Sequence, residues 1–142
     1  STYLVPAGST IQSIDEINQP GVRIVAISNT TTARSARRTA PLASVEEVPG
    51  VDLMTAKAKK GEGDAFALSH DSFVGMLPDL PGARVLAGQF QQTGISVAVP
   101  KGRPGALRLA SQLLEEAKAS GAVRSALDAA GFKDAAVAPL EL

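Results

Sequence analysis

The chain has 142 residues, with 14 basic and 14 acidic side chains, so its formal net charge is zero with the single histidine neutral. Zero charge lacks the basic excess of a general nucleic-acid binder, so no nucleic-acid partner is expected. The absence of cysteine removes thiol catalysis, cysteine-ligated zinc, iron–sulfur clusters and disulfides together. One histidine cannot build a multi-histidine metal site, so no metal or cofactor is implied. No apolar run approaches the roughly 20 residues of a membrane helix. The first residues, Ser1 to Pro6, show neither a basic segment nor a long apolar one, so an export signal is expected to be absent or already removed.

Two hydrophobic periods alternate along the chain. Ile14 to Asn18 reads as a short helical turn with Ser13 as its cap. Val22 to Ile27 is an apolar, β-branched run after Pro20-Gly21 and predicts a buried strand. A helix is expected to open within Asn29 to Thr32 and to stop before Pro41. Ser44 to Val48 predicts a strand, and Val51 to Lys60 a helix ended by Gly61. Asp64 to Leu68 predicts a third strand, followed by a short helix from Asp71 to Leu77 capped by Ser69 or Asp71. Arg84 to Ala87 and Ile95 to Val99 are the fourth and fifth strands expected. Pro104 to Ser120 is an amphipathic helix with Leu107, Leu113 and Leu114 on one face, and Val123 to Ala130 a second, closed by Gly131. Strand–helix alternation with short links indicates an α/β fold with a mostly parallel central sheet of about five strands flanked by helices.

In such sheets ligands sit beyond the carboxyl ends of strands, at helix N-termini. That directs attention to Ser28-Asn29-Thr30-Thr31-Thr32 and to Ser69-His70-Asp71. The first loop fits two descriptions. Free N–H groups and converging hydroxyls could capture a carboxylate, phosphate or sulfonate. Alternatively one threonine caps the helix and the others are solvated. Neither a P-loop nor a dinucleotide-binding glycine pattern is present. Arg34, Arg37 and Arg38 fit a solvated helix face better than a phosphate clamp. Ser69, His70 and Asp71 are adjacent, and a catalytic triad is assembled in space, not in sequence. Glu46-Glu47 and Glu115-Glu116 point apart, because neighbours on a strand or helix diverge.

The order of motifs resembles one family. Ser13-Ile14-Asp15-Glu16-Ile17-Asn18-Gln19-Pro20-Gly21-Val22-Arg23-Ile24-Val25 is similar to the opening of the second lobe of the amino-acid-type (family 3) periplasmic solute-binding proteins of ABC transporters. Asn29-Thr30-Thr31 resembles that family's glycine–threonine loop. Lys60-Gly61-Glu62-Gly63-Asp64-Ala65-Phe66 resembles the start of its next strand. Gln91 to Gly102 is similar to its returning hinge strand, and Glu115 to Gly121 to the end of its long C-terminal helix. The resemblance covers residues 2–132.

The resemblance implies a type II periplasmic-binding-protein-like, three-layer lobe. Residues 1–93 would be the ligand-binding second lobe with both hinge strands. Residues 94–142 would be a returning strand and C-terminal helices that normally pack on a first lobe, which is not in this sequence. It implies a non-enzymatic importer component, periplasmic, whose partners are a small polar or anionic solute and a membrane permease. Asn29, Thr30, Thr31, Thr32, Ser69 and Gln92 are the ligand-binding residues so expected. Ser69 stands where the family carries an ammonium-binding Asp, and Thr93 where it carries an aromatic wall. A homodimer or an exchanged helix is expected to cover the apolar face of the long helix. The same lobe also serves as the effector-binding domain of transcription regulators and sensors. A hydrolase on an α/β fold, with Ser69 or Ser72 activated by His70, is a further alternative.

Overall fold

The computed structural model describes residues 1–141, which divide into two compact units, Ser1–Thr93 and a second starting at Gly94. The first unit is built on five strands: β1 (Thr2–Val5), β2 (Arg23–Ile27), β3 (Ser44–Val48), β4 (Ala65–Leu68) and β5 (Arg84–Val85). Their order across the sheet is β3-β2-β4-β1-β5. β2 runs parallel to both β3 and β4, with Ile24 opposite Ala65 and Ala26 opposite Ala67. β1 alone is reversed, antiparallel to β4 and β5, with Thr2 opposite Leu68. Four of the five strands therefore share one direction, and the sheet is the mostly parallel one expected.

Side chains alternate between faces with period two, which sorts the core into two layers. Tyr3, Val5, Ile24, Ala26, Ala65 and Ala67 face α1 (Thr31–Thr39), which offers Ala33 and Ala36, with Ala40 just beyond its end. Small residues on both sides let the helix lie close to the sheet. Leu4, Val25, Phe66 and Leu68 face α2 (Val51–Lys60) and α3 (His70–Met76), which supply Met54, Ala58, Phe73 and Met76. Burial pushes the Tyr3 phenol up to about 12, so it stays neutral, and its ring stacks on Phe90 with centroids 4.3 Å apart. The diverging glutamates follow the same alternation. Glu46 pairs with Lys57 of α2 at 3.0 Å, and Glu47 with Arg37 of α1 at 2.7 Å. The turn Ile14–Ile17 is a 3-10 helix.

Gly61 ends α2 in the left-handed conformation at φ 72°, as its place after Lys60 predicts. At Gly63 the constraint is space. A Cβ there would lie 2.9 Å from both Val25 Cγ2 and Phe66 Cζ, two core side chains. Beside it, the Asp64 carboxylate accepts from the Arg23 backbone N–H at 2.8 Å and from its Nε and Nη2 at 3.0 and 3.1 Å. The Asp64 N–H in turn donates to the Arg23 carbonyl at 2.8 Å. The pair pins the beginnings of β2 and β4 together.

Two expectations are corrected. Ile95 to Val99 forms no strand, and Ile95 is 99% exposed. Its alternation has the residue preferences of a strand but meets no neighbouring ladder. The fifth strand is instead β1, whose four residues are all buried. β5 is also shorter than Arg84 to Ala87. In the second unit, α4 (Pro104–Ala119) and α5 (Ala122–Ala129) form a helical pair joined at Gly121. Lys118 donates to the Pro139 carbonyl at 2.8 Å, and Arg124 to that of Phe132 at 2.9 Å, holding the tail against the pair. No residue of α4 or α5 is fully buried. Among the described residues, no helix is long and apolar enough to cross a membrane.

Gly63→Ala should therefore cost about 1–3 kcal/mol in urea denaturation, by overpacking against Val25 and Phe66. For Asp64, the Arg23 guanidinium holds the carboxyl below its ordinary range. A depressed carboxylate stabilises the fold above its unfolded pKa, and that contribution is lost as the pH falls. The stability difference between the native chain and Asp64→Asn should thus be constant above about pH 5 and shrink below about pH 4. A difference that widens in acid would contradict this.

Candidate functional site

β2 and β4 end at the same end of the sheet, and the reversed β1 begins there. Because Thr2 faces Leu68, Ser1 and Ser69 occupy the next position along that line. The heads of α1 and α3 both open at this end, immediately after β2 and β4. This places the two loops expected from sequence side by side, on adjacent strands about 5 Å apart.

The first loop is anchored from below. The Ser28 N–H and hydroxyl donate to the Val48 carbonyl at 2.8 and 3.2 Å. Asn29 is exposed and takes the left-handed conformation at φ 62°, which asparagine tolerates better than most residues. Thr30 is the N-cap: its hydroxyl accepts from the Ala33 N–H at 3.1 Å and donates to the Ile27 carbonyl at 2.7 Å. The capping description therefore applies to Thr30, whose one hydroxyl proton is used inside the chain. Thr31 and Thr32 occupy the first two helical positions, where N–H groups have no intrahelical acceptor and the helix dipole is positive. The Thr32 hydroxyl meets the Ser1 hydroxyl at 3.0 Å.

Ser69 precedes α3, but its hydroxyl does not cap the helix. It meets the Ser72 hydroxyl instead, at 2.7 Å. His70 and Asp71 are exposed, and among the described residues His70 makes no hydrogen bond to either serine. The nucleophile–base contact that a serine hydrolase needs is not formed. On the other flank the Ser1 backbone nitrogen donates to the Gln91 carbonyl at 2.6 Å, and the Phe90 N–H to the Ser1 carbonyl at 3.0 Å. The Gln91 Oε1 is buried without a partner among the described residues, while Gln92 is exposed.

Ser1 thus joins Thr32 to the 90–91 segment, and Ser69, level with Ser1 one step beyond Leu68, pairs with Ser72. Ser1 and Gln91 had no sequence signal beyond lying at chain segments that meet β1. Ser72 is legible only as the residue three positions after Ser69. Of the arginines on α1, Arg37 is held by Glu47 and Arg38 donates to Ser35 at 3.4 Å. No group of three or more His, Asp or Glu side chains could hold a metal among the described residues. Two concavities are found, the second of them lined in part by Ser72. One of about 700 Å³ sits at the opposite end of the sheet, lined by Pro6, Ile11, Gly21, Arg23 and Asp64 among others. One of about 440 Å³ lies between α2 and α3. The residues at the heads of α1 and α3 form an open surface between them.

No family model matches the chain. In sequence it is 26% identical over 120 residues to the ABC transporter glutamine-binding protein GlnH of Bacillus subtilis, covering 84% of this chain and 44% of that protein. Its fold is similar to an amino acid ABC transporter substrate-binding protein from Streptococcus pneumoniae bound to L-arginine, with TM-score 0.66 and 15% identity, covering 91% of this chain and 55% of that one. An ancestral cyclohexadienyl dehydratase shares the fold at TM-score 0.55 and 21% identity, covering 89% of this chain and 54% of that one. The chain spans about half the length of these proteins. In sequence and fold it resembles one part of the amino-acid-type substrate-binding proteins of ABC transporters.

Proposed function

We propose that this chain forms one half of a solute-binding site in an ABC importer component that works outside the cytoplasmic membrane, in the periplasm. The solute is small, polar or anionic, and of the amino-acid type. The observation that carries this reading is the juxtaposition at one end of the sheet: the free N–H groups of Thr31 and Thr32 lie beside Ser1 and Ser69. A carboxylate would accept from those N–H groups. Asn29 and Gln92, both exposed at the rim, and the Ser69 hydroxyl would supply further polar contacts. Ser1 and Gln91 meet at the same end, so the two segments that would lead to a second lobe leave the unit together. Closure of that lobe over the solute would then present the loaded protein to a membrane permease.

Leu107 and Leu113, on the apolar face of α4 around Leu107, Leu113 and Leu114, are each more than half exposed. For the chain taken alone, the same reading includes a homodimer or an exchanged helix that covers this face. Light scattering should return a dimer mass, and a strictly monomeric mass would count against that part.

The site itself is tested with the full-length natural protein and a thermal-shift panel of amino acids and small carboxylates. At least one should raise the melting temperature. Thr31→Pro is the informative variant. Proline fits the first helical position, and Thr30, at φ −98° and ψ 155°, already has the backbone that a following proline demands. The substitution removes one N–H and leaves the helix. It should weaken solute binding roughly 10- to 100-fold, as loss of a hydrogen bond to a charged group does. An unchanged affinity would remove α1 from the site.

A further inference from the structure

β3 is the edge strand beside β2, and its last two residues both bear on the loop that opens α1. The register puts Glu47 opposite Ala26 and Val48 opposite Ile27, just before that loop begins. The Val48 carbonyl accepts from the Ser28 N–H and hydroxyl, which fixes where the loop leaves the sheet. The Glu47 carboxylate accepts from Arg37 Nη2 of α1 at 2.7 Å, with its side chain 30% exposed. Its carboxyl is held below the ordinary glutamate range, first by Arg37 and in the same direction by the Asn29 N–H and the Arg34 guanidinium. On its own strand Glu46 faces the other side of the sheet, where Lys57 holds it. Ala26, its partner on β2, carries no charge. One carboxylate thus faces two α1 guanidinium groups and the backbone of the loop.

The loop needs such a hold. Among the described residues Asn29 is the one non-glycine residue with positive φ, at 62°. That conformation is costly for an L-residue and persists where the surroundings over-determine it. The Asn29 side chain is exposed, so its own packing contributes little. The ties on either side, Ser28 to Val48 and Thr30 to Ile27, fasten the loop to the sheet. Glu47 fastens α1 itself, through Arg37.

We infer that Glu47 is a positioning residue of the proposed solute site: it ties β3 to α1 through Arg37, supports the Asn29 turn, and so sets where the Thr31 and Thr32 N–H groups stand. It does not touch the solute. This rests on the proposed function, because it takes the head of α1 as the solute-binding end. The charge of Glu47 makes the role separable. A nearby negative charge repels an anionic group, so a Glu47 that acted only through its field would weaken binding, and its removal would strengthen it. Loss of positioning has the opposite sign.

Glu47→Gln keeps the size of the side chain and removes the charge. In the full-length natural protein its melting temperature should stay within a few degrees of the native one, because an exposed ion pair contributes little to global stability. Isothermal titration would use whichever of L-glutamate, L-aspartate, L-alanine and succinate raises the native melting temperature most. Glu47→Gln should bind it roughly three- to tenfold more weakly, as alternative turns dilute the binding-competent one. Amide NMR of the free protein gives a second readout. The native Asn29 amide shift should titrate in acid with a midpoint below the ordinary glutamate range, and Glu47→Gln should abolish that transition. Unchanged or tighter binding by Glu47→Gln overturns the inference, and so does an Asn29 titration that survives the substitution. If Thr31→Pro still weakens binding, the binding reading stands without it. If Thr31→Pro binds normally, or none of the four compounds binds, the reading falls and the inference with it.

Discussion

The parallel pairing of β2 with β4 sets the geometry of everything above it. Arg23 and Asp64 hold the beginnings of the two strands together through three hydrogen bonds to one carboxylate. Ile24 to Ala26 then lie level with Ala65 to Ala67, so both strands run out at the same height. Two helices that start where two level strands stop must open beside each other. Because β1, on the other side of β4, is reversed, it starts at that height too, and Ser1 meets Thr32 at the head of α1. The surface there is a consequence of strand register. A one-residue slip of β4 would move every β4 side chain to the wrong face.

Packing then fixes how closely α1 approaches. Ala33 and Ala36 meet Ala26, Ala65 and Ala67, a contact between small residues that leaves little freedom in height. The opposite layer is filled by larger groups, Phe66, Met54, Phe73 and Met76, beneath α2 and α3. The two faces of the sheet therefore carry helices at different depths, with their N-termini converging on one end. That end offers hydroxyl groups, amide N–H groups and a positive helix dipole. Within it the Ser69 hydroxyl is paired with Ser72.

Much of this was legible in the sequence because the signals were local. The β-branched run before Ile27, the strand Ser44 to Val48, and the helix ending at Gly61 depend on side chains within a few residues of one another. Thr30 was readable as part of a capping cluster, though its donation to the Ile27 carbonyl was not. Partnership over long separations was not readable. Thr2 to Val5 has no alternation, because all four residues are buried and both faces are covered. Ile95 to Val99 does alternate, yet alternation reports which face is apolar and not which strand lies alongside. The links from Ser1 to Thr32 and from Ser1 to Gln91 span 31 and 90 positions, and no local pattern encodes them. The sequence nominated the two loops, and the strand register brought them together.

The most direct measurement is amide NMR on the full-length natural protein titrated with a solute that raises its melting temperature. The account predicts that the largest shifts fall on Thr31, Thr32 and Ser69 to Ser72, at the carboxyl ends of β2 and β4. Shifts centred instead on the cleft at the other end of the sheet, around Ile11, Gly21 and Asp64, with the helix heads unmoved, would contradict it.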